Sequence, residues 1–101
     1  MWLFTMFDLP TDTKLARKRH TWFRNALKRQ GFMMIQKSVY ARYFASEEAA
    51  QPHRTRVRAS LPPEGEVRLL AVTDKQFGKM EVYYGPGRQP VEEPPLQVQL
   101  F

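Results

Sequence analysis

Apolar residues occur along the chain in short runs and in one helical stripe, a pattern that predicts strands alternating with helices. Residues 2 to 7 are nearly all apolar, as in a strand that is covered on both faces and is therefore central in its sheet. Residues 14 to 30 carry apolar side chains along one side of a helix, and Gly31 follows as the residue that ends it. The stripe consists of Leu15, Ala16, Trp22, Phe23, Ala26 and Leu27, and the candidate N-caps are Thr11, Asp12 and Thr13.

The middle of the chain predicts two strands followed by a second helix. Residues 32 to 36 and 38 to 44 are rich in aromatic and other large apolar side chains, so we expect two strands with a very tight connection. A helix is expected from residue 46 to residue 61, with acidic side chains at its positive, N-terminal end. Pro52 fits a first turn better than a helix interior, so this helix is expected to start late or to be kinked.

The last third of the chain predicts strands and a linker. Residues 67 to 73 are another apolar run, the short polar segment "DKQFGKM" follows, and residues 81 to 84 predict an extra strand. The stretch "GPGRQPVEEPP" has the composition of a linker. Beyond it, Leu96, Val98 and Leu100 alternate with polar residues, which is the pattern of a half-buried strand.

The order of these elements predicts the fold class. Strand, helix, two strands, helix, strand is the order of a ferredoxin-like α+β sandwich (βαββαβ), in which two helices cover one face of an antiparallel sheet. The other face must then be wet, ligand-bound or paired. We predict that residues 1–84 form this domain and that residues 85–101 are a linker and a C-terminal strand, which adds to a sheet edge in its own subunit or in a partner's.

Length and composition limit the class of protein. A chain of 101 residues has room for one core, and self-association is a natural way for so small a domain to bury more surface. The absence of cysteine excludes disulfides and thiolate metal sites, and gives no reason to expect secretion. No signal peptide or membrane span is predicted, so we expect a cytoplasmic protein.

The balance of charge points to a polyanionic partner. Sixteen Lys and Arg against ten Asp and Glu give a net charge of +6, which favours phosphate contacts and counterion release, although a merely soluble basic protein is the alternative. The first helix is basic over almost its whole polar face, through Lys14, Arg17, Lys18, Arg24, Lys28 and Arg29. These are candidate nucleic-acid contacts, but a solvated charged face gives the same pattern. Arg19 instead falls within the apolar stripe, where it needs a partner such as a carboxylate.

Asp8 is the candidate for metal chemistry. It directly follows the first apolar run and precedes Pro10, so it is either a turn or capping residue or a hard oxygen ligand. Mg²⁺ keeps several waters and often takes one or two protein carboxylates, so one acid per chain is enough where two chains meet. The spacing of the residues leaves both interpretations open.

The segment "QKSVYARY" carries further polar candidates at strand spacing. Ser38, Tyr40 and Arg42 suit phosphate or sugar contacts. A structural role for the serine in a tight turn and for the tyrosine in an interface accounts for the same residues equally well. His20 and His53 have no ligand-like spacing, and we interpret both as surface residues.

Several motifs, taken together and in order, resemble a known family. These are "MFDLPT" at the end of the first strand, "RK…FR..L…GF" through the helix, "Q.SVY.R" and "LLAVTDKQFGKM". The chain resembles the Cas-two family over residues 2 to 84, a family of small CRISPR-associated nucleases that also form the core of the spacer-acquisition complex. It is most similar to the variant found beside single-effector, RNA-guided nucleases.

The resemblance implies a homodimer with its two sheets packed together and a divalent cation, usually Mg²⁺, near the paired strand-one aspartates, which here are Asp8. It implies cleavage of RNA or DNA, partnership with the Cas-one integrase, and a C-terminal strand that pairs with the partner subunit. Ser38 and Tyr40 match a family motif of serine, valine and an aromatic, and we assign Ser38 a catalytic role with Asp8. Many relatives have tyrosine before the aspartate, whereas this chain has Phe7.

Three hypotheses follow. The first is a Mg²⁺-dependent endonuclease for RNA or DNA, with Asp8 and Ser38 at its site and the helix cations, Tyr40 and Arg42 on the nucleic acid. The second is a non-catalytic adaptor, a basic dimer that holds duplex DNA and docks the integrase. The third is a small-molecule-sensing regulator, which would need a pocket with convergent polar groups.

Overall fold

A computed structural model describes residues 1 to 85 of the chain. The elements are strand β1 (Trp2–Asp8), helix α1 (Lys14–Arg29), strands β2 (Met33–Gln36) and β3 (Val39–Tyr43), helix α2 (Glu47–Ala59), strand β4 (Glu66–Val72) and helix α3 (Asp74–Gly78). The four strands form one antiparallel sheet in the order β2-β3-β1-β4. The predicted βαββαβ fold is therefore confirmed, with β1 as a central strand.

The two faces of the sheet carry separate apolar clusters. Odd-numbered residues of β1 such as Leu3 and Phe7 pack with Phe23 of α1 and with residues of α2 on the helix-covered face. Even-numbered residues Trp2 and Phe4 lie on the opposite face, which we call the helix-free face because neither α1 nor α2 covers it. This alternation sets the face on which every later residue of the sheet lies.

Helix α1 matches the predicted limits but buries a narrower stripe than the sequence suggested. Ala16, Phe23, Ala26 and Leu27 are buried, and Gly31 follows the helix with φ +81°. Leu15 and Trp22 are 55% and 54% exposed, so their assignment to the buried stripe was wrong. At about 100° per residue both lie at one margin of the stripe, beside the residues that are buried.

Helix α2 begins at Glu47, next to the predicted start at residue 46, so the late start that Pro52 suggested as one alternative is wrong. The Ser46 side chain accepts a hydrogen bond from Ala49 N at 3.1 Å and caps the first turn. This cap and the acids that follow it start the helix early enough to place Pro52 inside it. The helix ends at Ala59, two residues before the predicted limit.

The segment "DKQFGKM" contains α3, a short helix that the sequence interpretation did not predict. Thr73 and Gln76 form a reciprocal capping box at its start. Phe77 is buried and stacks on Trp2 with ring centres 4.3 Å apart. One end of the helix-free face is therefore covered by the chain itself.

The extra strand predicted for residues 81 to 84 is not formed in the chain described. Residues 80 to 85 have no regular secondary structure, and Tyr83 is 80% exposed. A strand needs a neighbouring edge with which to pair, and residues 81 to 84 pair with neither β2 nor β4, the two edge strands of the sheet. The predicted C-terminal strand and most of the linker, residues 86 to 101, lie outside the described residues. Within residues 1 to 85 no helix is long and apolar enough to cross a membrane.

Candidate metal and nucleic-acid sites

Asp8 is the last residue of β1 and lies on the helix-free face. Its side chain is exposed, and its carboxylate makes no hydrogen bond or ion pair with any of residues 1 to 85. It does not cap α1, because Thr13 does so by accepting a hydrogen bond from Ala16 N at 3.0 Å. The carboxylate is thus available to a ligand, at a position that the rigid central strand fixes.

Ser38 lies beside Asp8 at the same end of the sheet. The backbone N–H of Phe7 donates to the Ser38 carbonyl oxygen at 3.0 Å, which joins the end of β1 to the turn before β3. The structure therefore places the two residues that the sequence interpretation proposed as catalytic at the same end of the sheet, but their side chains make no hydrogen bond with each other. Ser38 is half-buried, whereas Asp8 is exposed.

Glu66 is a second carboxylate at this end, and the sequence interpretation missed it. It is the register partner of Asp8 in the antiparallel pairing of β1 with β4. Its Oε1 accepts a hydrogen bond from Arg68 Nε at 2.6 Å. The sequence contained a signal for it. Asp8 ends one apolar strand and Glu66 begins another, and antiparallel pairing of the two strands places these acids opposite each other.

Gly65 fixes this pairing. It has φ +88°, and a Cβ on it would lie 2.6 Å from the Asp8 carbonyl oxygen. Any side chain would therefore strain the backbone and push the loop before β4 away from the end of β1. Asp8 and Glu66 stay opposite each other because glycine allows the two backbones to approach closely.

The donor set at this end fits a hard divalent cation only in part. Asp8 and Glu66 supply carboxylate oxygens, which are the ligands of Mg²⁺, and Mg²⁺ is often held by one or two carboxylates with water completing its shell. Among residues 1 to 85, however, no three His, Cys, Asp or Glu side chains form a group that could hold a metal ion. One chain therefore offers part of a magnesium site.

His20 lies near this end on the helix-covered face and is half-buried rather than a simple surface residue. Its ring contacts the Phe7 ring with centres 5.7 Å apart. Burial lowers the pKa of His20 below the ordinary value of 6.5, and the nearby charges of Arg24 and Lys37 lower it further. Both effects favour the neutral form of the imidazole.

The predicted nucleic-acid cations of α1 are mostly exposed. Arg17 is anchored by a hydrogen bond from Nη1 to the Thr11 carbonyl oxygen at 3.0 Å. Arg24 is half-buried, and its Nε has no hydrogen-bond partner among the described residues. The exposed members of the set are Lys14, Arg17, Lys18, Lys28 and Arg29. Arg19 Nη1 lies 3.9 Å from Glu64 Oε1, and this ion pair supplies the carboxylate partner expected for Arg19.

The prediction that Tyr40 contacts nucleic acid needs correction. Its side chain is completely buried and stacks on Phe7 with ring centres 5.8 Å apart. Strand alternation turns Tyr40 toward the helices, because it pairs with Thr5, whose side chain is also fully buried. Tyr40 is a core residue, and its hydroxyl has no hydrogen-bond partner within residues 1 to 85.

Arg42 lies at the other end of the sheet from Asp8. It pairs with Leu3, five residues before Asp8 on β1, which corresponds to about 17 Å along the strand. It is surrounded by the end of α1 and by His53 of α2. The structure therefore does not bring Arg42 together with Asp8 and Ser38.

Comparison with known proteins gives a consistent result. Residues 1–80 match the family model described as CRISPR associated protein Cas2. A protein of Parvibaculum lavamentivorans named CRISPR-associated endoribonuclease Cas2 is 52% identical over 101 residues, which cover 100% of both chains. A protein of the same name from Flavobacterium psychrophilum is 44% identical over 101 residues, covering 100% of this chain and 88% of that one. A crystal structure of Streptococcus pyogenes Cas2 superimposes with a TM-score of 0.64 at 17% identity, over 83% of this chain and 100% of that one.

Proposed function

Because the chain belongs to the Cas2 family of CRISPR-associated proteins, we propose that it is a metal-dependent endonuclease that hydrolyses phosphodiester bonds in nucleic acid. The names of its relatives favour RNA as the substrate, with DNA as the alternative. The observation that carries the proposal is the carboxylate of Asp8, which has no partner within residues 1 to 85 and lies opposite Glu66 at the end of a central strand.

The residues of this end have separate roles in the proposed reaction. Asp8 holds the cation, and magnesium, when bound, polarises the phosphate and lowers the pKa of a bound water. Arg68 holds Oε1 of Glu66, so Oε2, which has no partner among the described residues, is left to accept a hydrogen bond from water. Ser38 positions the end of β1 through its carbonyl oxygen.

A second copy of the chain completes the site in this proposal. The helix-free face exposes Met33, Tyr43 and Leu70, which are 38%, 48% and 50% exposed, and strand register places all three on the face that carries Asp8. Packing two such faces together about a two-fold axis that runs along β1 would bury these apolar side chains and bring a second Asp8 to the same end. The homodimer therefore explains both the exposed apolar side chains and the incomplete ligand set.

The cations of α1 bind the phosphate backbone in this proposal. Five of the six predicted side chains are exposed on one helix, as backbone contacts require. The dimer then also holds duplex DNA as a platform on which the Cas-one integrase docks. A purely adaptor role is the second candidate, and the observation that favours it is the absence of a three-ligand cluster within residues 1 to 85.

The test is the substitution Asp8→Asn, which keeps the shape of the side chain and removes its charge. We expect Mg²⁺-dependent cleavage of single-stranded RNA, single-stranded DNA or duplex DNA to fall about 100-fold or more, as EDTA would lower the wild-type rate. Asp12→Asn is the matched control, since Asp12 is also exposed and precedes the same helix. If the Asp8→Asn protein cuts as fast as wild type, the metal site is not at Asp8.

A salt titration separates the adaptor role from catalysis. Duplex affinity should fall steeply with salt in both wild type and Asp8→Asn, because the contacts are to phosphates. A flat response would contradict the phosphate contacts. Spacer acquisition that survives in cells carrying Asp8→Asn would leave the platform as the physiological role.

A further inference from the structure

We propose that a cleft at the Arg42 end of the sheet binds a phosphate group. The cleft has a volume of about 620 Å³ and is lined by Arg29, Gln30, Gly31, Arg42, His53 and Arg56. Three of these six residues are arginines, and none is acidic. We call this set the arginine cleft.

Arg42 is held in place at the base of the arginine cleft. Its Nη1 donates to the Gln30 carbonyl oxygen and lies 3.2 Å from His53 Nε2. Its guanidinium carbon lies 4.8 Å from the centre of the Phe44 ring. Because a guanidinium has five N–H donors and Nη1 makes the contacts seen here, Nε and Nη2 remain for a ligand in an orientation that is already fixed.

Gly31 leaves that guanidinium open to the cleft. It takes φ +81° after the end of α1, and a Cβ on it would lie 3.5 Å from three atoms of the Arg42 guanidine group. A side chain would therefore cover the group that a phosphate would contact. The glycine that ends the helix also gives access to Arg42.

Arg29 and Arg56 add charge that no acid in residues 1 to 85 neutralises through an ion pair. On the same helix, Arg54 donates two hydrogen bonds to the Glu47 carboxylate, at 3.1 and 2.9 Å. Arg56 and Arg29 make no side-chain hydrogen bond or ion pair with a described residue, and both are exposed. Such an excess of unpaired cations around one opening is favourable for an anion with several oxygens.

His53 lines the cleft beside Arg42. Its Nδ1 lies 3.2 Å from Gln30 Oε1, and its Nε2 lies 3.2 Å from Arg42 Nη1, so both ring nitrogens face groups of the cleft. Burial lowers the pKa of His53, and Arg42 and Arg56 lower it further. These charges crowd one another when the cleft is empty, and a bound phosphate would relieve that repulsion.

The arginine cleft is distinct from the Asp8 end. Arg42 and Leu3 lie on the helix-covered face, whereas Asp8 lies on the helix-free face about 17 Å further along β1. The phosphate could belong to a nucleic-acid backbone or to a free phosphate or nucleotide. The first source rests on the proposed nucleic-acid function, and the second does not.

The test is titration of the full chain with inorganic phosphate, followed by NMR at constant ionic strength with chloride as the reference anion. We expect phosphate to shift the backbone amide of Gly31 and the ring signals of His53. Arg56→Gln should weaken binding about tenfold, because it removes charge-assisted hydrogen bonds. Arg58→Gln, on the same exposed helix but outside the cleft, is the charge-matched control and should leave the affinity unchanged.

A parallel titration with a single-stranded RNA and a duplex DNA identifies the source. The cleft binds backbone phosphate if Arg56→Gln weakens the binding of RNA and duplex DNA as strongly as it weakens the binding of free phosphate, and Arg58→Gln does not. If Arg56→Gln weakens only the binding of free phosphate, the cleft binds a free phosphate or nucleotide. No shift at Gly31 and His53, or equal losses in Arg56→Gln and Arg58→Gln, would overturn the proposal whatever the outcome for Asp8.

Discussion

The two ends of β1 carry opposite charges on opposite faces. At its C-terminal end, Asp8 faces Glu66 across the strand pair on the helix-free face. At its N-terminal end, Leu3 pairs with Arg42, which lies among other arginines on the helix-covered face. One central strand therefore separates a candidate metal site from a candidate phosphate site by about 17 Å. The difference shows that strand alternation and length alone can keep the two kinds of chemistry apart.

Each end also depends on one glycine with positive φ, although for different reasons. Gly65 lets the backbone approach Asp8, and its φ is +88°. Gly31 ends α1 with φ +81° and leaves Arg42 uncovered. Replacing each glycine by alanine therefore probes the two ends with the same chemical change.

The largest expected effect is a difference in the free energy of unfolding between Gly65→Ala and Gly31→Ala. Both substitutions place a Cβ in left-handed backbone, which costs about 1 to 2 kcal/mol. Gly65→Ala also forces a clash, since its Cβ would lie 2.6 Å from the Asp8 carbonyl oxygen, whereas the Gly31 Cβ meets atoms no closer than 3.5 Å. Chemical denaturation should show that Gly65→Ala lowers the free energy of unfolding more than Gly31→Ala. Equal losses would mean that the Asp8 end is not held by a close backbone approach.

Between the two ends, Tyr40→Phe tests whether the core tyrosine takes part in either site. Removing a buried hydroxyl that has no partner among the described residues should leave the free energy of unfolding unchanged or raise it by up to about 1 kcal/mol. The affinity for RNA and duplex DNA should stay at the wild-type value. A loss of nucleic-acid affinity without a loss of stability would show that Tyr40 reaches the ligand after all.

The smallest effect is the pH dependence contributed by His53. Its folded pKa lies below the unfolded value of 6.5, so the unfolded chain binds more protons as the pH falls from about 6.5 through the folded pKa. This part of the stability is therefore complete above pH 6.5 and is lost on acidification. Melting temperatures measured from pH 5 to pH 8 should fall less steeply for His53→Gln than for wild type, and the contribution of His20 should remain. A curve for His53→Gln that is as steep as wild type would place the titration elsewhere.

The sequence predicted what depends on local pattern. The apolar run before Asp8 and the stripe that contains Phe23 were enough to place β1 and α1, and the order of elements predicted the fold. The pattern failed at the margin of the stripe, where Trp22 is exposed although its helical position is next to the buried residues. It also failed for α3, because five residues are too few for periodicity to be visible.

The candidate sites were less predictable because they depend on contacts between distant residues. Glu66 lies opposite Asp8 through strand register, and Arg56 of α2 lines the same cleft as Arg42 of β3. Neither proximity can be predicted from the spacing of the residues in the sequence. Tyr40 shows the opposite case, in which a polar group in a promising motif is turned inward by strand alternation.

The separation of the two ends is tested most directly by measuring two quantities on the Asp8→Asn protein. These are its rate of Mg²⁺-dependent cleavage and its affinity for inorganic phosphate at the arginine cleft. We predict that the rate falls about 100-fold or more and that the affinity stays at the wild-type value. Cleavage at the wild-type rate, or loss of phosphate binding together with cleavage, would contradict the assignment of metal chemistry to Asp8 and of phosphate binding to the opposite end of β1.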